Sequence, residues 1–385
     1  MKRRDVAIVG YYETKFERRS GRSIYDVAGE AAAGALAHAG IKKGEVDGVA
    51  VNSTLSNTAE PFWSNRVCDA LGLVPRWLEM SDIGGASGIG NVARAALAIR
   101  EGWCSAVLVL SADVPSTTQQ VRYSGYRPEF QEPYGVQGPP GLFGLLQRRY
   151  AAQYPLKVEA LAKIAMVQRE HALLNPNAIF KQPMSLDDYL KSRIVSDPLR
   201  LLDSVMYCDG GAALVVTSAE RAQKLGASAV YPVSYAEITN FNGDDPAPDI
   251  TETGFSVVGP AALAQAEMTA RDVQQFHPYD DFTIAVLMQL EQIGFCHRGE
   301  GSRFVLDTDL SYTGTLPLNT GGGQLSAGQP GLAGGMVNFV EAVRQLRGEA
   351  AGRQVPNPRN AVVTGIGVVP FIRNWGTSAV MVLEV

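Results

Sequence analysis

Short unbroken apolar runs alternate along this chain with longer stretches in which apolar residues return at helical spacing. Asp5 to Gly10 (DVAIVG) reads as a buried strand closed by glycine. From Ser23, Ile24, Val27, Ala31, Leu36 and Ala39 keep helical spacing and Gly40 supplies a stop. Lys43 to Asn52 returns to strand character, Phe62 to Leu71 reads as a helix, and Trp77 to Met80 as a brief extended piece. Ser81 to Arg100 (SDIGGASGIGNVARAALAIR) is a glycine turn that opens an apolar helix, and Cys104 to Ala112 is a fully buried strand. Strand and helix alternating with glycine at the joints predict an α/β sheet covered by helices.

Val114 to Gly144 breaks this rhythm with prolines, glycines and tyrosines, and its aromatics suit an ordered functional loop better than a linker. Tyr150 to Leu174 is predicted as one helix, stopped by Asn175-Pro176, and Leu186 to Arg193 as a shorter one. Residues 115–200 therefore read as a subdomain inserted over the sheet, before Cys208 to Thr217 resumes the core strands. The later part of the chain echoes the earlier part. Pro260 to Met268 followed by Asp272 to Phe276 repeats the helix Ala32 to Gly40 followed by Glu45 to Val49. Glycine-led helices then start at Gly84 and Gly321, and each runs into a strand, Ala106 to Leu110 and Ala361 to Thr364. Such long-period similarity predicts two copies of one α/β unit, 1–232 and 233–385.

Composition narrows the function classes. At 385 residues the chain exceeds one ordinary core, and its net charge of -5 gives no basic field for nucleic acid. No apolar run is long enough to span a membrane, and the N-terminus enters a strand directly, so the expected location is cytoplasmic. Cys68, Cys104, Cys208 and Cys296 are scattered without a CxxC pair, which predicts neither a metal site nor a disulfide framework. The turn at Gly85 aims helix-start N–H groups and a positive dipole end at whatever sits above it, a place for an anion or a nucleophile.

Five segments in order carry a resemblance to the thiolase superfamily. They are Gly84 to Gly88, Asp209-Gly-Gly-Ala-Ala213, His277-Pro-Tyr-Asp-Asp-Phe-Thr283, Gly294 to Glu300 and Asn319 to Gly335 (NTGGGQLSAGQPGLAGG). The chain is most similar to the sterol-carrier-protein and lipid-transfer-protein types. The resemblance implies a thiolase fold, with two similar βαβαβαββ halves in a layered αβαβα arrangement and an inserted loop subdomain.

The departures from that family matter as much as the matches. The family's nucleophilic cysteine falls at Gly85, its Gly-His-Pro histidine at Gln329, and its C-terminal Cys-Gly turn at Thr364-Gly365-Ile366-Gly367. Glutamine donates a hydrogen bond but takes up no proton near neutral pH, so the groups of a Claisen condensation are missing. A tyrosine beside a histidine or carboxylate still exchanges protons with a substrate hydroxyl. Tyr279 is accordingly the expected proton relay, with His277 or Asp280 tuning it, since residues 277, 279 and 281 share a face if the segment is a strand. The Gly85 and Gly367 amides are the expected oxyanion donors, and Ser87, Asn319, Gly322 and Gln329 the expected substrate-binding residues.

These parts suit retro-aldol cleavage of a β-hydroxyacyl-CoA, as the resemblance to the cysteine-lacking steroid side-chain aldolases implies. Acyl transfer from a displaced thiol, Cys208 or Cys296, and a non-catalytic acyl-CoA- or lipid-binding subunit are the alternatives. No permanently bound cofactor is expected, and coenzyme A enters as part of the substrate. Arg122, Arg127, Arg148 and Arg149 are candidates for its phosphates. The expected partners are a second copy, through the strand Ala106 to Leu110, and, by resemblance, a zinc-ribbon/OB-fold subunit.

Overall fold

The computed structural model of the protein describes residues 4–56, 61–119, 128–136, 138–245, 247–367 and 375–385. The first sheet contains β1 (Val6–Glu13), β2 (Gly48–Asn52), β3 (Trp77–Ser81) and β4 (Ala106–Asp113). A hairpin of β5 (Ile194–Ser196) and β6 (Leu199–Arg200) follows, and β7 (Gly210–Ser218) completes the first sheet in the order β1-β7-β4-β2-β3. The second sheet, ordered β8-β11-β10-β9, uses β8 (Tyr231–Thr239), β9 (Phe276–His277), β10 (Asn360–Ile366) and β11 (Thr377–Glu384).

Both sheets follow one plan. The last strand of each, β7 or β11, lies antiparallel between the first strand and the penultimate one. That penultimate strand, β4 or β10, runs parallel to an earlier strand, β2 or β9. Only β3 has no counterpart among the described residues of the second sheet.

Five layers result. Helix Ile24–Ala39 packs against β1, β7 and β4 from outside, and helix Phe255–Gln265 packs against β8 and β11. Helices Ser87–Arg100 and Gly335–Leu346 pack on each other and touch strands of both sheets, which makes them the central layer. The unbroken apolar run of β4 follows from this burial on two sides. Val107 and Val109 join the cluster around the central helices, whereas Leu108 and Leu110 join the one beneath Ile24–Ala39.

Two expectations are corrected here. The single helix predicted from Tyr150 to Leu174 is two, Gly138–Gln153 and Val158–Leu173, separated around Pro155, which has no N–H to continue a helix. The strand Ala106 to Leu110 cannot mediate dimerisation, because β4 is flanked by β7 on one side and β2 on the other. The outer strands of that sheet are β1 and β3. Helix Val158–Leu173 of the inserted region reaches the second half, packing on helices Thr283–Ile293 and Gly301–Asp307 and on the turn at 323–327. Among the described residues no helix is long and apolar enough to cross a membrane.

Candidate active site

The floor of the site is the turn that precedes helix Ser87–Arg100. Gly84–Ala86 forms a single tight turn, and the Ser87 hydroxyl accepts a hydrogen bond from the Ile83 N–H at 3.1 Å. Ser87 is thus a buried cap of its own turn rather than a substrate contact. Gly85 has no room for a side chain, since a Cβ there would lie 2.0 Å from Cε2 and 2.5 Å from the hydroxyl oxygen of Tyr279. The tyrosine ring fills the volume that a cysteine at position 85 would need. The turn also meets the second half closely, because a Cβ on Gly335 would lie 2.0 Å from the Gly85 carbonyl oxygen.

Tyr279 is held by its backbone. Its N–H donates to Thr364 Oγ1 at 2.8 Å, and its carbonyl accepts from Gln289 Nε2 at 2.8 Å. The Thr364 hydroxyl donates in turn to Gln289 Oε1, which closes a buried ring of contacts between β10, the loop and helix Thr283–Ile293. Pro278, just before it, is clamped through its carbonyl by Asn319 Nδ2 at 3.1 Å and Asn338 Nδ2 at 2.6 Å. The phenol oxygen lies 3.4 Å from Gln329 Nε2, and Gln329 Oε1 meets no partner among the described residues. Tyr279 and Gln329 are 5% and 6% exposed, so both reach the edge of accessible space.

Sequence reasoning did not find Gln289, Asn338 or the anchoring role of Thr364. Their contacts join segments far apart in the chain and leave no local signal.

Asp280 has a different job from the expected one. It is fully buried and accepts from the Gln324 N–H at 3.0 Å, the Leu325 N–H at 3.1 Å and Asn338 Nδ2 at 2.7 Å. Burial pushes its carboxyl up to about 7 against the pull of these donors. Asp280 is therefore the cap of the turn at 323–327. His277 ends β9, and the segment does not continue as a strand, so the expected shared face of 277, 279 and 281 does not form. Its Nε2 lies 3.0 Å from Gln275 Oε1, and burial lowers the imidazole to about 4 despite the charge of Glu341, so the ring is neutral near pH 7.

The remaining expected residues are engaged within the protein. The Gly367 N–H donates to the Thr377 carbonyl at 2.7 Å and is not free to hold an oxyanion. The Gly322 N–H donates to the Asn319 carbonyl at 2.8 Å, and Asn319 is fully buried in its clamp, with Oδ1 lacking a partner among the described residues. Neither presents itself to a ligand. The structure thus brings together Gly85, Tyr279 and Gln329.

Asp281 is the residue that sequence reasoning passed over, although the Tyr-Asp-Asp run contained the signal. It is 9% exposed and its Oδ1 has no partner among the described residues. Burial, with the neighbouring Asp280 charge, pushes its carboxyl well above the usual range. Both thiol candidates are unsuited to nucleophilic work. Burial drives Cys208 far up and Cys296 up to about 12, so neither is a thiolate near neutral pH. Among the described residues no group of three or more His, Cys, Asp or Glu is arranged to hold a metal ion.

A cavity of about 490 Å³ adjoins the site, lined by Val205, Met206 and Tyr207 and by Leu325 and Ser326. Tyr207 bridges to Gln329, and the Val205 N–H donates to the Asp281 carbonyl at 3.1 Å. The exposed Arg18 and Arg19 also line it, with Arg169. Of the arginines expected to meet coenzyme A, Arg148 is paired with Asp197 at the surface and Arg149 is exposed, while Arg122 and Arg127 lie outside the described residues.

Comparison with known proteins agrees with this architecture. Residues 239–384 match the family model described as Thiolase C-terminal domain-like. The chain is 32% identical to the 17-hydroxy-3-oxo-4-pregnene-20-carboxyl-CoA lyase of Mycobacterium tuberculosis, over 94% of its own length and 97% of that protein. It is 33% identical to the steroid side-chain-cleaving aldolase of Thermomonospora curvata, over 94% of its own length and 95% of the relative. The solved structure of the Ltp2-ChsH2(DUF35) aldolase superposes with a TM-score of 0.87 at 31% identity, covering 100% of this chain and 98% of that one. Together with the layered double repeat and the glycine turn, these likenesses show that this chain belongs to the thiolase superfamily, in its sterol-carrier-protein and steroid side-chain aldolase branch.

Proposed function

We propose that the protein binds an acyl-CoA thioester and cleaves a β-hydroxyacyl-CoA by a retro-aldol reaction with no covalent intermediate. One observation carries this reading: the ring of Tyr279 stands where the acyl-accepting sulfur would otherwise project. A carbon–carbon cleavage of this kind needs three things. The β-hydroxyl must lose its proton, the thioester oxygen must be stabilised as the enolate leaves, and a proton must return to the α-carbon.

Tyr279 is the proton relay at the β-hydroxyl, with Gln329 Nε2 orienting the phenol. Asp281 replaces His277 and Asp280 as the group that accepts the relayed proton, because among the described residues it is the buried carboxyl with an unpartnered oxygen. The Gly85 N–H, in the middle of the tight turn Gly84–Ala86, is the remaining oxyanion donor. The products are a carbonyl compound and a shortened acyl-CoA, and the proton taken from the hydroxyl balances the one returned to carbon. The named relatives, a carboxyl-CoA lyase and a side-chain-cleaving aldolase, support the reaction class. The absence of a low-pKa thiol at Cys208 and Cys296 speaks against the acyl-transfer alternative.

A zinc-ribbon/OB-fold subunit is supported by the DUF35 component named with the solved aldolase. A homodimer is supported at the outer strand β3, where Met80 is 46% exposed, instead of at β4. The decisive experiment for the chemistry replaces Tyr279 by Phe. With β-hydroxyacyl-CoAs of steroid, aromatic and short-chain type, turnover should fall at least about a hundredfold while the circular dichroism spectrum stays unchanged. Unaltered turnover removes the assignment, and an acylated cysteine in the mass spectrum replaces it with acyl transfer.

A further inference from the structure

We propose that the cavity beside the site holds the acyl group and that Arg169 binds a carboxylate carried by that group, so that the substrate is an acyl-CoA with a second acid function. The substrate assignment rests on the acyl-CoA reading above, but the binding site itself does not.

Arg169, on helix Val158–Leu173, is only 7% exposed. Its Nε donates to Ser326 Oγ at 3.1 Å and its Nη1 to the Gln182 carbonyl at 3.3 Å, while the guanidinium carbon lies 4.2 Å from the Phe180 ring centroid. Nη2 meets no protein acceptor among the described residues, and no carboxylate among them lies within ion-pair distance. Other buried arginines of this chain are not left this way. Arg344 pairs with Glu13 and Glu341, and Arg353 pairs with Glu341. A buried cation without a counter-ion is costly, and burial lowers the pKa of Arg169 with no opposing charge to raise it. A bound anion resolves that cost.

The surroundings say which kind of anion. Beyond the guanidinium the cavity wall is largely apolar, with Phe180, Met184, Leu202, Val205 and Leu325, and its volume of about 490 Å³ suits an organic body and not a bare ion. Arg169 also sits on the reaction side. It holds Ser326, and the adjacent Leu325 N–H is bound by Asp280, the neighbour of Tyr279. The phosphates of coenzyme A lie at the far end of the pantetheine arm from the thioester, whereas Arg169 is tied through Ser326 to the turn that Asp280 caps. What remains for Arg169 is an acid group on the acyl portion, which a guanidinium receives through two parallel N–H bonds.

Equilibrium dialysis of the full chain with octanoate, octanol and coenzyme A tests this without reference to turnover. Octanoate should bind about tenfold or more tightly than octanol, the margin of a charge-assisted contact. Arg169→Gln should erase that margin while leaving octanol and coenzyme A binding unchanged, and Arg169→Lys should retain part of it. The proposal is overturned if octanoate does not bind, if Arg169→Gln keeps the margin, or if both variants lose octanol as well, which marks a structural residue. Loss of coenzyme A affinity with octanoate unaffected also overturns it and gives the guanidinium to the coenzyme phosphates. A silent dialysis with an intact Tyr279 effect would sink this inference alone.

Discussion

The two glycine turns that lead into the central helices are equivalent in topology and opposite in character. The first, Gly84–Ala86, is one tight turn capped by its own next residue, Ser87. The second runs from Asn319 to Gly334 through a wide turn at 323–327 and a tight one at 331–334, with positive φ at Asn319, Gly322, Gly323, Gly328 and Gly331. It does not cap itself. Asp280 reaches in from another loop to bind the Gln324 and Leu325 N–H groups. The first turn contributes backbone and, at Gly85, the volume that the Tyr279 ring fills, and the second half contributes Tyr279, Gln329 and the carboxyls. A duplicated unit has thus divided its labour: one copy supplies a floor, the other the reacting side chains.

The largest effect should come from breaking the borrowed cap. Asp280→Ala strands two buried backbone donors and removes one of the two acceptors of the Asn338 amide, and each buried unpaired group costs about 1–3 kcal/mol. A loss of about 4 kcal/mol in urea-monitored stability is expected, together with loss of the site. A cost near 1 kcal/mol would mean that the second turn is as self-sufficient as the first. Next comes the contact between the turns. Gly85→Ala places a methyl 2.0 Å from the Tyr279 ring and should cost about 1–3 kcal/mol by overpacking. In a Tyr279→Ala background the same change should be nearly free, so a double-mutant cycle should return a coupling of about 1 kcal/mol or more. Additive effects would show that the two residues do not share one volume.

The alternation of apolar runs and helical spacing showed the core strands, because β4 carries its burial in every residue and β7 in all but its last. It also showed Gly85 and Tyr279 as separate features of two segments. That one fills the space of the other is a matter of packing across 194 positions, which no local pattern encodes. The same holds for Gln289 and Asn338, whose amides hold the loop by contacts with backbone oxygen. The inserted region is the least legible in the sequence. Glycines and prolines at its start suggested a loop, yet Pro139 and Pro140 fall in the first turn of helix Gly138–Gln153, where a missing N–H costs nothing. The dimer strand was misplaced because an unbroken apolar run does not distinguish a central strand from an edge.

A titration distinguishes the halves further, since His277 is a buried ionisable group of the second. Burial holds it near 4, below the ordinary 6.5, so between these values the unfolded chain binds a proton that the folded one refuses. Stability therefore rises with pH across that window and falls on acidification, by about 2 kcal/mol at pH 5 from this residue. Asp280 acts with the opposite sign, because a carboxyl raised to about 7 loses stability as pH climbs from about 4. His277→Asn should leave the Asp280 slope and remove its own, so the variant's deficit should shrink as the pH is lowered from 7 to 5. A deficit constant with pH would show that the imidazole titrates normally.

The smallest effect belongs to the first turn, and its smallness is what the comparison requires. Ser87→Ala removes one acceptor from the part-buried Ile83 N–H and leaves Gly85, Tyr279 and the strands where they are. Replacing a serine cap by alanine costs about 1 kcal/mol, and here no second segment depends on the hydroxyl. Thermal unfolding should shift by a few degrees at most, and turnover of a β-hydroxyacyl-CoA should stay within about twofold. Had Ser87 been a substrate contact, KM would climb with stability intact, so an unchanged KM beside a lowered melting temperature separates the cap from the ligand. If Ser87→Ala instead destabilised the chain as deeply as Asp280→Ala, the two turns would be equally cooperative with the rest of the fold, and the division between a passive floor and a chemically loaded half would fail.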